Sequence, residues 1–441
     1  MIRLRQLLDK VKHRLLFIPI LGVLIAIGTA QAMLVIDAAL GDQTLPELLL
    51  TTVDSGRAIL SAIAGGLIAS VTLLLSMMLV AIQLASSQFS PRTVRNWIGD
   101  RTQQIAIAVV LGTTVYCLLI LRETRTFEEG EALTPHLSVI VAVVLGILSL
   151  IAVVRSVDHL TNRLRVGSVA SGIMAETVAI IGRDERLAPV ENPTMTPSAV
   201  PTGSEQQTDP PSNAFAIEAP SPGWVQQIHM KTIINSTPEG STVYVTAAVG
   251  SFTFPDAPVA WVWPRPDDEE LCSSGVLSGF AFGDGRTMQQ DIGFGVLQMV
   301  DIALRALSPG VNDPNTANDL IVHLGVTMLA LWERPIAPHV RDEDGRKVVR
   351  FDLEHAEYLH AAFDPIRLYG AADPSVAGTM LRTLAALHTE TRRRELAGPL
   401  GPIEEVIDQI LDAVDKSDLS DYDKATVRHL VPAELTSATA N

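Results

Sequence analysis

Four apolar stretches dominate the first third of the chain: residues 15–36, 58–84, 102–121 and 132–154. A helix of about 20 apolar residues crosses about 30 Å of hydrocarbon, so each stretch predicts a membrane span. Three of them carry no charge, and His136 is the only titratable group of the fourth. A secretory signal has an apolar core of only about 7–15 residues, so the first run reads as a retained span. Residues 156–188 continue as a helical extension, with Leu160, Leu164, Val169, Ile173 and Val178 at rough helical spacing. The stretch 189–213 contains six prolines and no Lys or Arg, which predicts a linker.

The period then shortens. Alternating runs at 214–218, 224–228, 242–248 and 259–263, separated by Pro, Gly, Asn and Ser, predict strands of a small β module over 214–264. Helical spacing returns in 265–441, at 292–307, 314–332, 353–367, 373–394, 402–416 and 421–430, with a hairpin at 338–352 turning on Asp344-Gly345. The predicted fold is a membrane α-helical domain of four transmembrane helices (1–155) plus a cytoplasmic α+β region. In the latter, a small barrel-sandwich-like β module precedes a helical domain.

Composition agrees with this division. The mean hydropathy is +0.28 although the net charge is −16. Residues 1–155 hold 12 Lys/Arg and 10 Asp/Glu, whereas 156–441 hold 21 and 39. The loops that would lie on the side of the N-terminus carry 11 Lys/Arg, against 3 on the other side. The positive-inside rule then puts both termini in the cytoplasm. The arginines Arg92, Arg95, Arg101, Arg155, Arg163 and Arg165 would lie between membrane and acidic domain. Two cysteines exclude a disulfide framework. The acidic balance argues against nucleic acid as a partner.

Candidate chemistry is sparse. No phosphate loop, nucleophile elbow or paired-histidine metal motif occurs, so no enzyme activity, cofactor or metal is expected. Met230-Lys231 follows a strand rather than sitting on a central hairpin, so lysine modification is not expected. The densest polar cluster runs from Arg286 to Thr316. Asp301 and Arg305 are one helical turn apart and can pair. Ser308-Pro309-Gly310 ends one helix, and Asp313-Pro314 supplies an N-cap and first position for the next. This cluster is either a capped helix–turn–helix or a ligand or ion site, in which Arg286, Gln290, Asp291, Asn312, Asp313, Asn315 and Thr316 would converge. In the second span, Ala62, Gly66 and Ser70 recur every four residues, beside Gly65 and followed by Ser76 and Gln83. Small residues at this spacing let helices approach closely. They serve either packing inside one bundle or a polar path at an oligomer axis.

Three segments carry a family resemblance. They are Ala81 through Arg92, reading AIQLASSQFSPR; Asp291 with Phe294-Gly295, followed by Asp301 through Pro314; and Pro135-His136-Leu137-Ser138. The chain resembles the bacterial membrane proteins grouped as domain of unknown function 2254. That resemblance implies an integral membrane protein with four N-terminal spans and a lipoyl-like barrel-sandwich module, and no activity. Here 248–256 departs from the module's usual Pro-Gly-Asp-Phe-Val element. The expected protein is a multi-pass protein of the bacterial plasma (inner) membrane, surrounded by the lipid bilayer and forming a homo-oligomer. The first expected function is an oligomeric channel-like or transport-related protein with a cytoplasmic regulatory domain. The alternative is a membrane-anchored sensor or scaffold, binding a small ligand or protein partner through that domain.

Overall fold

The computed structural model describes residues 17–40, 52–88, 100–124, 136–163, 166–183, 210–334, 339–343, 345–350, 353–432 and 435. Arg92, Arg95, Arg165, most of the 189–213 linker and the hairpin residue Asp344 lie outside the described residues. The chain divides into two compact units, Met1–Ser168 and Val169–Asn441.

The first unit is helical: α1 (Phe17–Leu40), α2 (Val53–Gln88), α3 (Arg101–Glu123) and α4 (His136–Arg163). A further helix, α5 (Val166–Arg183), lies almost wholly in the second unit. Five helices among the described residues, α1 to α5, are long and apolar enough to cross a membrane by length and composition. The expected count of four is therefore not fixed by length and apolarity, because the extension after the fourth span qualifies as well.

Helix α3 packs against α1, α2 and α4 and is the most buried of the four. Its contact with α1 is close: a Cβ on Gly22 would come within 2.9 Å of the Ala108 side chain, and one on Gly112 within 3.1 Å of the Gly22 carbonyl oxygen. Gly22 and Ala26 on one helix, Ala108 and Gly112 on the other, form small-residue pairs four apart that let the two backbones meet.

In the second unit, one sheet has the order β1-β5-β3-β8-β7 and the other β4-β2-β6. The strands are β1 (Phe215–Glu218), β2 (Gly223–Ile228), β3 (Thr242–Val245), β4 (Phe252–Thr253), β5 (Pro258–Trp263), β6 (Phe280–Gly283), β7 (His339–Glu343) and β8 (Arg346–Arg350). Pairing is antiparallel except between β3 and β8. The β module thus does not close at residue 264: β6 and the β7–β8 hairpin complete its sheets. Two short helices, α6 (Met230–Ser236) and α7 (Glu269–Leu277), add Ile233, Ile234, Cys272 and Val276 to a core with Ile217, Val225, Val243, Val262 and Val348.

The helical part comprises α8 (Ile292–Ala306), α9 (Pro314–Trp332), α10 (His355–Gly370), α11 (Pro374–Arg393), α12 (Leu400–Lys416) and α13 (Asp421–Arg428). Side-chain caps set the starts of four of them. Asp291, Asp313, Asp373 and Ser420 each accept a backbone N–H of the first turn, and Pro occupies the first turn of α9 and α11. Apolar faces then fix the packing of α8 on α9 and α10, and of α11 on α9 and α12.

Candidate functional site

Asp291 is the centre of the polar cluster at the start of α8. Its Oδ1 accepts the Phe294 N–H at 2.8 Å, which caps the helix. The same carboxylate receives both arms of the Arg286 fork, Nε to Oδ2 at 2.7 Å and an Nη to Oδ1 at 2.8 Å. Asp291 is 3% exposed and Arg286 19%. The guanidinium carbon also lies 5.4 Å from the centre of the Phe294 ring and 6.0 Å from that of Trp224. Gly250, at φ +85°, brings the 248–251 turn against the pair, where a Cβ would stand 2.8 Å from the Arg286 guanidinium. The neighbouring glutamines tie the 285–290 loop to β2. Gln226 donates to Gly285 O at 2.7 Å, Gln290 accepts from Ile228 N at 2.9 Å, and Gln227 donates to Gln289. This knot joins the small sheet to α8.

The second half of the expected site sits elsewhere. Ser308 closes the other end of α8, its hydroxyl donating to Arg305 O at 2.7 Å. Asn312 turns at φ +49°, and Asp313 caps α9 by accepting the Thr316 N–H at 3.1 Å and the Thr316 hydroxyl at 2.5 Å. That hydroxyl bond, the largest cause, holds the Asp313 carboxyl below its usual range. Asn312 and Asn315 are exposed, while Asp301 and Arg305 are half-buried along α8. The 15 residues of α8, about 22 Å at helical rise, separate Arg286, Gln290 and Asp291 from Asn312, Asp313, Asn315 and Thr316. The two groups do not converge. Each holds its own end of a helix, and the sequence shows them adjacent only because it does not display the helix between them. Gly295 serves packing instead, since Thr177 of α5 lies where its Cβ would be.

In the first unit, the stripe of α2 faces away from the bundle. Ala62, Gly65, Gly66, Ser76 and Gln83 are exposed, and Ser70 is half-buried. Among the described residues, nothing lies within 4 Å of a Cβ built on Gly65 or Gly66. Packing inside one bundle is thereby corrected: Leu60, Ala64, Leu67, Leu74 and Met78 form the buried face instead. Ser70 and Ser76 donate to carbonyls of their own helix, at 2.9 and 2.8 Å.

The sequence did not reveal a polar seam between α3 and α4. At one end, His159 Nε2 lies 2.8 Å from the Asp100 carboxylate. Further along, Ser156 donates to Gln103 at 2.5 Å, and Ser149 to Thr113 at 2.9 Å. At the other end, Tyr116 donates to Ser138 O at 3.1 Å. There Asp37 of α1 accepts Leu137 N–H and Ser138 N–H, both at 3.0 Å, and the Ser138 hydroxyl at 2.5 Å. Asp37 thus caps α4 from another helix, which gives Leu137 and Ser138 their structural role. His136, the one titratable group of the fourth apolar stretch, is buried in this corner. From Asp100 to Tyr116 the seam covers about 24 Å of helix. No signal in local spacing finds it, because its partners are far apart in sequence. Among the described residues no group of three His, Cys, Asp or Glu side chains could hold a metal ion.

Uncharacterized proteins of Mycobacterium tuberculosis and Mycobacterium bovis are each 28% identical to this chain over 397 residues, covering 87% of it and 74% of the relative. No solved structure matches. The profile of the family described as "Predicted membrane protein (DUF2254)" matches residues 12–386, across the apolar helices, the mixed sheets and the helical part as far as α11. The chain therefore belongs to this family of predicted membrane proteins of unknown function.

Proposed function

We propose that the protein is a homo-oligomeric, channel-like protein of the bacterial plasma membrane, without catalytic activity. It crosses the membrane four times with both termini in the cytoplasm, and its second unit is a regulatory domain. The observation that carries this reading is the outward stripe of α2. Glycine inside a helix costs roughly 1 kcal/mol relative to alanine. Among the described residues of the bundle, none uses the missing side chains of Gly65 and Gly66. A second copy would, in the way that Gly22 and Gly112 already let α1 and α3 meet. The polar groups of the α3–α4 seam pair with one another, so a conducting path belongs between copies rather than through one bundle. The charge bias of 11 to 3 supports the orientation. Assigning α5 to the second unit supports four spans. A sensor would need an open polar site, whereas Arg286, Asp291 and Asp313 are already satisfied by their neighbours.

The test is native mass spectrometry of the full-length protein in mild detergent, together with current recordings in planar bilayers. A defined oligomer and a conductance are expected, both lost in Gly66→Leu. A monomeric, electrically silent wild-type protein would remove the basis for this reading.

A further inference from the structure

We infer that the groove between α1 and α3 is a binding site for one anionic phospholipid, with an acyl chain in the groove and its phosphate at Arg101. The inference rests on the first unit lying in a bilayer, and not on the oligomer proposed above. The groove has a volume of about 320 Å³. Its α1 wall runs from Ile18 to Thr29 and its α3 wall from Ile105 to Tyr116. Eleven residues of helical rise on either wall give about 16 Å. That is about half the 30 Å hydrocarbon thickness, the depth of one leaflet. An acyl chain of a lipid in that leaflet has the matching length.

The chemistry of the walls selects hydrocarbon. The lining is aliphatic except for Thr29, Thr113 and Tyr116. Each of these three is already bonded within the protein. Thr29 donates to Ile25 O at 2.9 Å, Thr113 accepts from Ser149 at 2.9 Å, and Tyr116 donates to Ser138 O at 3.1 Å. These few polar groups are engaged locally, so the walls present a mainly apolar surface to an occupant. The floor is the Gly22–Ala108–Gly112 contact, where the absence of larger side chains makes the depression. Leu21, Ile25 and Ile105 are exposed lips beside it.

The mouth of the groove selects the headgroup. Arg101 lies one helical turn before Ile105 on the stripe that continues through Ala108 and Gly112 to Tyr116. It is exposed and forms no ion pair among the described residues. A guanidinium there presents paired donors to a phosphate and adds attraction for an anionic lipid. A second helix is a poorer occupant, because a depression one leaflet deep would accept only part of a spanning element.

The experiment titrates the delipidated full-length protein with phosphatidylglycerol or phosphatidylcholine and counts bound lipids by native mass spectrometry. One phosphatidylglycerol should bind first, about fivefold more tightly than phosphatidylcholine. Arg101→Gln should abolish the headgroup preference while keeping the first lipid. Val109→Phe, which fills the groove, should lose the first lipid of either class. Leu148→Phe, at an exposed position of α4, should keep it. Equal binding of phosphatidylglycerol by Val109→Phe and wild type would overturn the site, and an unchanged preference in Arg101→Gln would overturn the headgroup assignment. The Arg101→Gln arm remains decisive if Val109→Phe does not fold, because Arg101 is exposed. None of these readings depends on conductance or on assembly through α2.

Discussion

Replacing Asp291 with Ala removes two things at once, and their magnitudes separate them. The cap on Phe294 N–H is worth about 1 kcal/mol. Losing the carboxylate also leaves Arg286, 19% exposed, without its bidentate partner. Breaking a buried pair in this way costs about 3–5 kcal/mol, and the partial exposure of Arg286 favours the lower end. Asp291→Ala should therefore destabilise the second unit by about 4 kcal/mol. Asp291→Asn should cost about 3 kcal/mol, because Asn caps as well as Asp. At roughly 2 °C per kcal/mol for a unit of this size, the alanine variant should melt about 8 °C lower. The assay is thermal and urea unfolding of the full-length protein in detergent, followed by tryptophan fluorescence. A double-mutant cycle with Arg286→Gln should return a coupling of about 2 kcal/mol. Coupling under about 0.5 kcal/mol, or equal stability of the Asn and Ala variants, would refute the view of this knot as a cap and ion pair sharing one carboxylate.

Two further outcomes follow from contacts in the second unit. Gly295→Ala should cost about 1–3 kcal/mol by overlap with Thr177, and Thr177→Ala in the same chain should restore part of it, as read by melting temperature. His355 is buried and its pKa is pushed below 6.5 by that burial, so the folded state binds its proton less readily than the unfolded chain. Its stability is present above pH 6.5 and falls as the pH drops from 6.5 toward the lowered folded value. Melting curves between pH 7.5 and 5 should show a shallower acid loss in His355→Gln.

Where local pattern decides an element, sequence and structure agree closely. The 224–228 alternation corresponds to β2, 292–307 to α8, and Asp313-Pro314 to the start of α9. The disagreements arise where distant parts of the chain decide. The four residues of β6 are too few to show a period, and α6 and α7 form as short helices against the sheet core rather than from an amphipathic repeat. Small-residue spacing was visible in α2, yet the pairs that bring helices of the first unit together are Gly22/Ala26 and Ala108/Gly112. Spacing says that a helix can be approached closely, but not by which neighbour. Asp37 illustrates the same limit: as a loop acid it suggests only topology, while its partners Leu137 and Ser138 lie about a hundred residues away. The candidate site divided for the opposite reason, since residues close in sequence were carried apart by the length of α8.

The parallel β3–β8 ladder has a consequence for synthesis. Thr242 pairs with Lys347, about a hundred residues later in the chain. At about 5–20 residues per second, a ribosome takes roughly 5–20 s to make that stretch. Until β8 emerges, β3 lacks one neighbour, and Val243 and Val245 border an open ladder. The apolar helices of the first unit precede all of this and can enter the bilayer meanwhile. The order of translation thus gives membrane insertion a head start over sheet closure. Chains halted between residues 264 and 346 would display an unpaired strand edge for chaperones and proteases to recognise.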